Sequence, residues 1–375
     1  MRTRVLLSLL LLAGCVPAAD DAEDAALDAE LTDESAPVYP HDRAHSPLTP
    51  EIVSGLRRIV AAGGHRDRVF AKIGDSITVS SSFAQCFVQR PVLLSPEIAP
   101  TAEDDQAALE AARQLFASTI IGGATSFNRT SLAATVGWSA ARAIQGTPDS
   151  PIDREVTAID PAFAIVMLGT NDTYAGSTAQ YRRAMTKIVD RLLARNVVPI
   201  LSTIPPRLDP KYDALVPGMN SVVRTIAEQK RVPLMDLWLR LRDVPGYGLD
   251  PGGSPPGVHP NVRGDGCDFG ELGLTRGYNQ RNLLLIEALD RMKRFVLDAA
   301  PAAPDPAPTP EPSPTDPGST DPGCFSYTLQ RTVFTGTCVQ SVTDRAWYQC
   351  TGGAWRAPVV DGIGPGGACA AEHPL

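Results

Sequence analysis

Residues 162–172 read Ala-Phe-Ala-Ile-Val-Met-Leu-Gly-Thr-Asn-Asp, an unbroken apolar run that ends in a glycine and three polar residues. An apolar run of this length without alternation is typical of a strand buried on both faces of a parallel sheet. Helical and strand patterns alternate on both sides of it, from a helix that begins at Thr49-Pro50 to a last helix over about 275–298. The alternation predicts a three-layer α/β/α sandwich with a parallel sheet.

Two further segments carry residues suited to nucleophilic chemistry. Val69–Ile73 is a predicted strand that leads into Gly74-Asp75-Ser76, and Gly257-Val-His-Pro-Asn261 precedes the last predicted helix. Reactive residues of such sheets collect in loops at the carboxyl ends of the strands. A hydroxyl nucleophile needs a base within hydrogen-bond reach and donors for the developing oxyanion, so we expect these loops to converge.

Together with GTND at 169–172, these segments resemble the motifs of the SGNH (GDSL-type) esterases and lipases. The motifs are GDS at 74–76, GTND at 169–172 and GVHPN at 257–261, and the resemblance covers about residues 66–298. It implies the flavodoxin-like SGNH hydrolase fold and an enzyme that cleaves carboxylic esters through an acyl-serine intermediate. It implies no metal and no organic cofactor.

The resemblance also assigns roles to individual residues. Ser76 would be the nucleophile and His259 the base that takes its proton. The side chain of Asn171 and the backbone N–H groups of Ser76 and Gly137 would form the oxyanion hole. The glycine is the least regular assignment, because the surrounding Val136-Gly137-Trp138 lacks the family's usual Asn-x-Gly form.

One position departs from the family pattern. The family has an aspartate three residues before the histidine, where it orients the imidazole, and this chain has Pro256 there. Three alternatives follow: Asp250 is the third catalytic member, a backbone carbonyl supports a Ser–His dyad, or the site has decayed. A carbonyl acceptor would keep the histidine in the correct tautomer.

The resemblance makes Cys86 and Cys267 a candidate pair. Cys86 lies ten residues after Ser76 and Cys267 lies eight residues after His259, so both would border the same mouth. A disulfide there would join the nucleophile loop to the base loop. The alternative is two independent free thiols.

The N-terminus predicts export. Arg2 and Arg4 precede an apolar run that is too short to span a bilayer, which is typical of a cleaved signal. The ending Leu-Ala-Gly-Cys15 resembles the lipobox of bacterial lipoproteins, which implies a signal peptide at 1–14 and a lipid anchor on Cys15. We therefore expect a bacterial cell-envelope location, periplasmic or surface-facing; the alternative is an ordinary signal peptide.

The rest of the chain divides by composition. We predict an acidic flexible tether at 15–46, the hydrolase domain at 47–299, a Pro-rich linker at 300–323 and a small Cys-rich module at 324–375. The module contains four cysteines, which permit three disulfide pairings: Cys324, Cys338, Cys350 and Cys369. Its aromatic residues either stack on sugars or fill a small core.

Charge and cysteine spacing limit the partners. The net charge of −8 argues against nucleic acid, and residues 16–35 supply eight acidic residues and no basic one. No spacing typical of a zinc site occurs. The expected partners are an ester substrate (a small acyl ester, an acetylated glycan or a lipid) and a membrane, through the anchor. The alternatives are a non-catalytic glycan-binding protein with a decayed cleft, or an O-acyltransferase.

Overall fold

The computed structural model describes residues 39–94, 106–175 and 177–300, and the backbone of five short strands between 324 and 356. The chain divides into two compact units, Met1–Pro304 and Asp305–Leu375. The predicted signal peptide, most of the acidic tether and almost all of the Pro-rich linker lie outside the described residues. No helix in the described part of the chain is long and apolar enough to cross a membrane.

The first unit is built on a parallel sheet. Its strands are β1 (Arg66–Gly74), β2 (Pro161–Met167), β3 (Val198–Ser202) and β4 (Leu234–Met235), in the order β1-β2-β3-β4. Every residue of β2, β3 and β4 is buried, as the unbroken apolar run of β2 predicts.

Two layers of helices accompany the sheet. The helices are α1 (Pro50–Gly63), α2 (Ser76–Val79), α3 (Gln106–Ala117), α4 (Ala140–Ile144), α5 (Pro151–Ile159), α6 (Asp172–Ala175), α7 (Thr178–Ala194), α8 (Pro210–Asp213), α9 (Val216–Lys230), α10 (Leu237–Arg242) and α11 (Gly277–Arg291). Short 3₁₀ turns occur at Gln85–Val88 and Pro245–Gly248, and a π-helical turn at Met292–Leu297 follows α11. Helices α4, α5, α7 and α9 pack in one group, and α3, α10 and α11 in another. The predicted α/β class with a parallel sheet is confirmed.

The ends of α1 follow the sequence rules. The Thr49 hydroxyl accepts a hydrogen bond from the backbone N–H of Ile52, and a proline follows at the first helical position. Gly64 ends the helix in the left-handed conformation with φ of 60°. The helix predicted from Thr49-Pro50 is therefore confirmed.

A short segment extends the sheet beyond β1. The N–H of Gly74 donates to the carbonyl of Ala133 (3.1 Å), and the N–H of Thr135 donates to the carbonyl of Gly74 (3.2 Å). This parallel bridge brings the segment that precedes Gly137 to the carboxyl end of β1, where the predicted nucleophile lies.

The second unit contains two small antiparallel sheets. One pairs β5 (Cys324–Ser326) with β6 (Arg331–Val333), and the other contains β7 (Cys338–Gln340), β8 (Trp347–Thr351) and β9 (Ala354–Arg356). Only the backbone of these strands is described. The disulfides and the sugar-stacking role of this module depend on side chains outside the described residues and stay predictions.

Candidate active site

Ser76 lies at the first position of α2, directly after β1. The Asp75 carboxylate caps this helix, because its Oδ1 accepts a hydrogen bond of 3.0 Å from the N–H of Ile77. Gly74 is required by space, since a Cβ there would stand 2.1 Å from Oγ1 of Thr78. The strand therefore passes directly into a helix that presents a half-buried serine at the strand end.

His259 lies beside this serine. Its Nε2 lies 2.8 Å from Oγ of Ser76, across 183 residues of sequence. In the neutral tautomer with the proton on Nδ1, Nε2 accepts the hydrogen bond from the serine hydroxyl. This geometry suits a nucleophile and its general base.

The last residue of the GVHPN segment holds the histidine loop in place. Oδ1 of Asn261 accepts from the N–H of Gly277 at the start of α11 (3.0 Å), and its Nδ2 donates to the carbonyl of Leu249 (3.1 Å). The asparagine thereby joins the loop to a helix and to the segment that precedes Asp250. The sequence signal for this role is its place in the GVHPN segment, two residues after His259.

Asp250 lies close to His259 without bonding its ring. The Asp250 N–H donates to the carbonyl of His259 (2.9 Å), while its Oδ1 accepts from the N–H of Gly252 (3.0 Å). Among the described residues, no carboxylate or carbonyl oxygen accepts a hydrogen bond from Nδ1 of His259. The backbone of Asp250 is thus joined to the backbone of His259 by a hydrogen bond. The Asp250 carboxylate instead closes a turn with the N–H of Gly252.

The protonation of His259 depends on three local influences. Burial lowers its pKa below the usual 6.5, Asp250 opposes this effect through its negative charge, and the positive charge of Arg207 lowers the pKa further. Together these influences lower the pKa of His259. The imidazole therefore stays neutral, and able to accept a proton, to lower pH than an ordinary histidine.

Asn171 and the Gly137 segment meet at the same edge. Nδ2 of Asn171 donates to the carbonyl of Trp138 (3.0 Å) and lies 3.4 Å from Oδ2 of Asp75. Gly137, next to Trp138, has φ of 78° and open space around its Cβ position, so its backbone conformation requires glycine there. The predicted amide donor and the predicted glycine are thus brought together beside the nucleophile turn.

The remaining residues of the GTND segment support this arrangement. Both carboxylate oxygens of Asp172 accept from the N–H of Ala140 (3.2 and 3.0 Å), which fixes the start of α4. Burial raises the pKa of Asp172 to about 6, and burial raises that of Asp75 to about 6 as well. Both carboxylates serve as hydrogen-bond acceptors in the scaffold and do not contact the ring of His259 in this structure.

Sequence reasoning missed a buried arginine that contacts the nucleophile turn. Arg281 of α11 donates to the carbonyl of Ile77 (2.7 Å) and to Oγ1 of Thr78 (2.9 Å), and its guanidinium lies 3.6 Å from the ring centroid of Phe83. Burial lowers the pKa of Arg281 to about 10, which leaves it charged at neutral pH. No motif in the sequence signals this residue.

The predicted disulfide between Cys86 and Cys267 is confirmed. Their Cα atoms lie 5.8 Å apart, and both residues are buried. Asn282 lies beside the bridge and joins its two flanks, because its Oδ1 accepts from the N–H of Ala84 and its Nδ2 donates to the carbonyl of Gly266. The segment after Ser76 is thereby joined to the segment after His259.

A parallel sheet that presents a serine and an amide after two of its strands, with an imidazole from a later loop in hydrogen-bond contact with the serine, defines the class of serine hydrolases. The chain belongs to the GDSL-like lipase/acylhydrolase family, whose model matches residues 73–266. The predicted family and the predicted ester-hydrolysing activity class are confirmed. No group of three or more metal-binding side chains is arranged to hold an ion within the residues that the structure describes.

Several solved structures are similar to this chain. A GDSL-like lipase from Bacteroides thetaiotaomicron is 13% identical over 64% of this chain and 98% of its own, with a TM-score of 0.38. A psychrotrophic esterase from Pseudoalteromonas is 16% identical over 62% of this chain and 100% of its own, with a TM-score of 0.35. An acetylxylan esterase from Geobacillus stearothermophilus, solved as a catalytic mutant, is 16% identical over 59% and 93%, with a TM-score of 0.37. No curated protein matches the sequence.

Proposed function

We propose that the protein hydrolyses acyl or O-acetyl esters at the bacterial cell envelope, with Ser76 as nucleophile and His259 as base. The observation that carries this proposal is the 2.8 Å contact between Oγ of Ser76 and Nε2 of His259. This contact joins two residues that lie 183 positions apart in sequence and gives the serine hydroxyl a proton acceptor.

The reaction follows from this contact. The Ser76 hydroxyl proton moves to Nε2 of His259 as Oγ bonds to the ester carbonyl carbon, and the carbonyl oxygen takes the negative charge. The N–H groups of Ser76 and Gly137 bind that oxyanion. Nδ2 of Asn171 joins them when it exchanges its long 3.4 Å hydrogen bond to Oδ2 of Asp75 for one to the oxyanion. The tetrahedral intermediate then collapses, the alkoxide takes the proton from Nε2, and the alcohol leaves.

Water completes the cycle at the same residues. His259 takes a proton from a water molecule, whose oxygen bonds to the acyl carbon. Collapse of this second intermediate releases the carboxylic acid and returns the proton to Oγ of Ser76. Each step needs a neutral imidazole before the attack, and the lowered pKa of His259 supplies it at neutral pH.

The orientation of His259 rests on its loop. We infer a Ser–His dyad in which Asp250 acts through its charge and its backbone N–H, which donates to the carbonyl of His259. Asn261 holds the same loop against α11. A dyad of this kind gives the protonated imidazole less stabilisation than a hydrogen-bonded carboxylate gives.

A covalent probe tests the assignment of the nucleophile. We expect a fluorophosphonate to label the wild-type protein and not the Ser76→Ala variant, because only an activated serine attacks phosphorus at a useful rate. Turnover of p-nitrophenyl acetate falls by at least about 10³-fold in Ser76→Ala and in His259→Ala. Ser81→Ala, on the exposed segment after α2, is the matched control. Labelling of Ser76→Ala to the same extent as the wild type would refute the proposal.

Location is tested separately. We propose that Cys15 carries the lipid anchor, supported by the Leu-Ala-Gly-Cys15 ending of the apolar N-terminal run. A clickable fatty acid should label the wild-type protein in bacterial cells, and Cys15→Ser should abolish both this label and membrane fractionation. Retention of the label in Cys15→Ser excludes this cysteine as the anchor.

A further inference from the structure

A cluster of two tyrosines and an arginine lies beside the catalytic loops. Arg207 is 3% exposed, and its guanidinium stands 4.6 Å from the ring centroid of Tyr174 and 5.0 Å from that of Tyr212. The two tyrosine rings meet edge to face at 4.6 Å between centroids. We call these three residues the tyrosine platform.

Hydrogen bonds fix the platform to the Asn171 loop. Arg207 donates to the carbonyl of Thr170 (2.9 Å), to Oγ1 of Thr173 (2.9 Å) and to the hydroxyl of Tyr174 (2.6 Å). The N–H of Tyr174 donates to the carbonyl of Asn171 (3.2 Å), which places the tyrosine three residues after the predicted oxyanion donor.

The platform is also joined to the loop of the base. The N–H of Leu208, next to Arg207, donates to the carbonyl of Gly257 (3.1 Å), two residues before His259. A Cβ on Gly257 would stand 2.4 Å from Cβ of Leu208, so the two segments are in close contact. The platform therefore lies between the segment that carries Asn171 and the segment that carries His259.

The ring of Tyr174 is rigid and accessible at once. Tyr174 is 48% exposed although its hydroxyl and one side of the ring are held by Arg207. Tyr174 therefore keeps about half of its surface in contact with water beside the catalytic loops, although Arg207 and Tyr212 pack against its ring. A ring already fixed in one position loses little conformational entropy when a ligand packs against it.

The surroundings of the ring indicate the kind of ligand. Asp209 and Lys211 are exposed at the start of α8, and Nζ of Lys211 lies 5.1 Å from the ring centroid of Tyr212. Leu208 is the apolar neighbour, at 38% exposure. The Asp209 Oδ1 accepts from the N–H of Lys211 (2.9 Å), so this exposed carboxylate and ammonium lie on the segment that carries Tyr212, the ring neighbour of Tyr174. A partly exposed aromatic ring with polar groups on the adjoining segment matches a sugar, which has an apolar C–H face and a rim of hydroxyls, better than it matches an acyl chain.

We propose that the tyrosine platform binds the sugar ring that carries the ester, which makes a carbohydrate ester the substrate of this site. This inference rests on the proposed function and names its alcohol component. The sugar packs its C–H face on Tyr174, its hydroxyls bond to Asp209 and Lys211, and its ester carbonyl reaches Ser76.

A comparison of three substrates tests the platform. Kinetics are measured on acetylated cellotetraose, p-nitrophenyl acetate and p-nitrophenyl octanoate, for the wild type and for Tyr174→Ala, Tyr174→Leu and Tyr174→Phe. We expect Tyr174→Ala and Tyr174→Leu to raise KM for the saccharide about fivefold to tenfold more than KM for p-nitrophenyl acetate. Tyr174→Phe should recover most of this loss, because it keeps the ring. The matched control is Ile120→Ala, which removes an apolar side chain that is 59% exposed.

Other results overturn the proposal. Equal losses on all three substrates mean that Tyr174 only supports the loops, and a larger loss on the octanoate means that it contacts the acyl chain. Calorimetric titration of cellotetraose into Ser76→Ala, with and without Tyr174→Leu, measures sugar binding without turnover, and equal affinity in the two proteins also overturns it. Turnover that survives in Ser76→Ala refutes the proposed function instead, whatever Tyr174 does.

Discussion

The guanidinium of Arg281 donates a hydrogen bond of 2.7 Å to the carbonyl oxygen of Ile77, although the two residues lie 204 positions apart. Ile77 directly follows Ser76 in the one-turn helix α2. A helix of four residues has too few internal bonds to be stable alone, so its conformation depends on contacts from outside. The contact from α11 is therefore part of what positions the nucleophile.

Arg281→Met should reduce both catalysis and stability. It leaves the carbonyl of Ile77 and the hydroxyl of Thr78 without their donor, and an unpaired buried polar group costs about 1–3 kcal/mol. We expect kcat/KM for p-nitrophenyl acetate to fall about tenfold or more, since α2 loses its fixed position. Arg276→Met, an exposed arginine just before α11, is the control. Wild-type kcat/KM in a folded Arg281→Met protein would contradict this role.

The disulfide between Cys86 and Cys267 should contribute strongly to stability. The bonded residues are 181 positions apart, and closing a loop of that length lowers the entropy of the unfolded state by about 5 kcal/mol in the chain model. We expect urea denaturation to give the Cys86→Ser/Cys267→Ser double variant a lower free energy of unfolding than the wild type, by a large part of this amount.

A reductant provides the control for the disulfide prediction. Reduction should lower the stability of the first unit in the wild type, and should have no such effect in the double variant, because the bond is already absent. Any change that the reductant still causes in the double variant belongs to the module cysteines. Equal urea midpoints for wild type and double variant would show that the loop closure is offset elsewhere.

The sequence was sufficient for the elements and residues that carry a local pattern. β2 could be predicted because its seven residues are all buried, which demands an unbroken apolar run. Ser76, Asn171 and His259 could be predicted to converge because they follow a motif whose order and spacing are specific. The left-handed end of α1 could be predicted because glycine is favoured there.

The two buried arginines that the sequence did not indicate depend on long-range contacts. Arg207 and Arg281 are buried cations whose partners lie on other segments, and nothing within a few residues of either distinguishes them from surface arginines. Helix α5 was missed although Ser150 and Asp153 form a capping box that the sequence displays. The last helix was predicted as one element over about 275–298, but α11 ends at Arg291 and a π-helical turn follows.

Asp172 should make the protein less stable as the pH rises from about 4 to 6. Burial raises its pKa from 3.8 to about 6, so the folded state binds a proton that the unfolded state has lost in this interval. Asp75 has a pKa shifted in the same direction and adds to the effect. The wild type should lose stability between pH 4 and pH 8. We expect this loss in the free energy of unfolding to be about 1–3 kcal/mol smaller in Asp172→Asn. Parallel stability curves for the two proteins, measured by urea denaturation at several pH values, would contradict this.

Two variants should shift the acid limb of activity in opposite directions. The wild-type acid limb of kcat/KM reports the loss of neutral His259 and should lie below pH 6.5, because burial and Arg207 lower the pKa of this residue. Arg207→Gln removes a positive charge, so the limb should move to higher pH. Asp250→Asn removes a negative charge that favours the imidazolium, so the limb should move to lower pH.

The size of the Asp250→Asn effect also distinguishes the possible roles of Asp250. An aspartate that orients the imidazole by a hydrogen bond costs about 10⁴-fold in turnover when replaced by asparagine. An aspartate that acts by charge alone, with its carboxylate on the N–H of Gly252, should cost much less, with the change concentrated near the acid limb. We expect the second outcome, from pH–rate profiles between pH 4 and 9. A uniform loss of about 10⁴-fold across the whole range would establish Asp250 as the third catalytic member and would require its side chain to leave Gly252 for Nδ1 of His259.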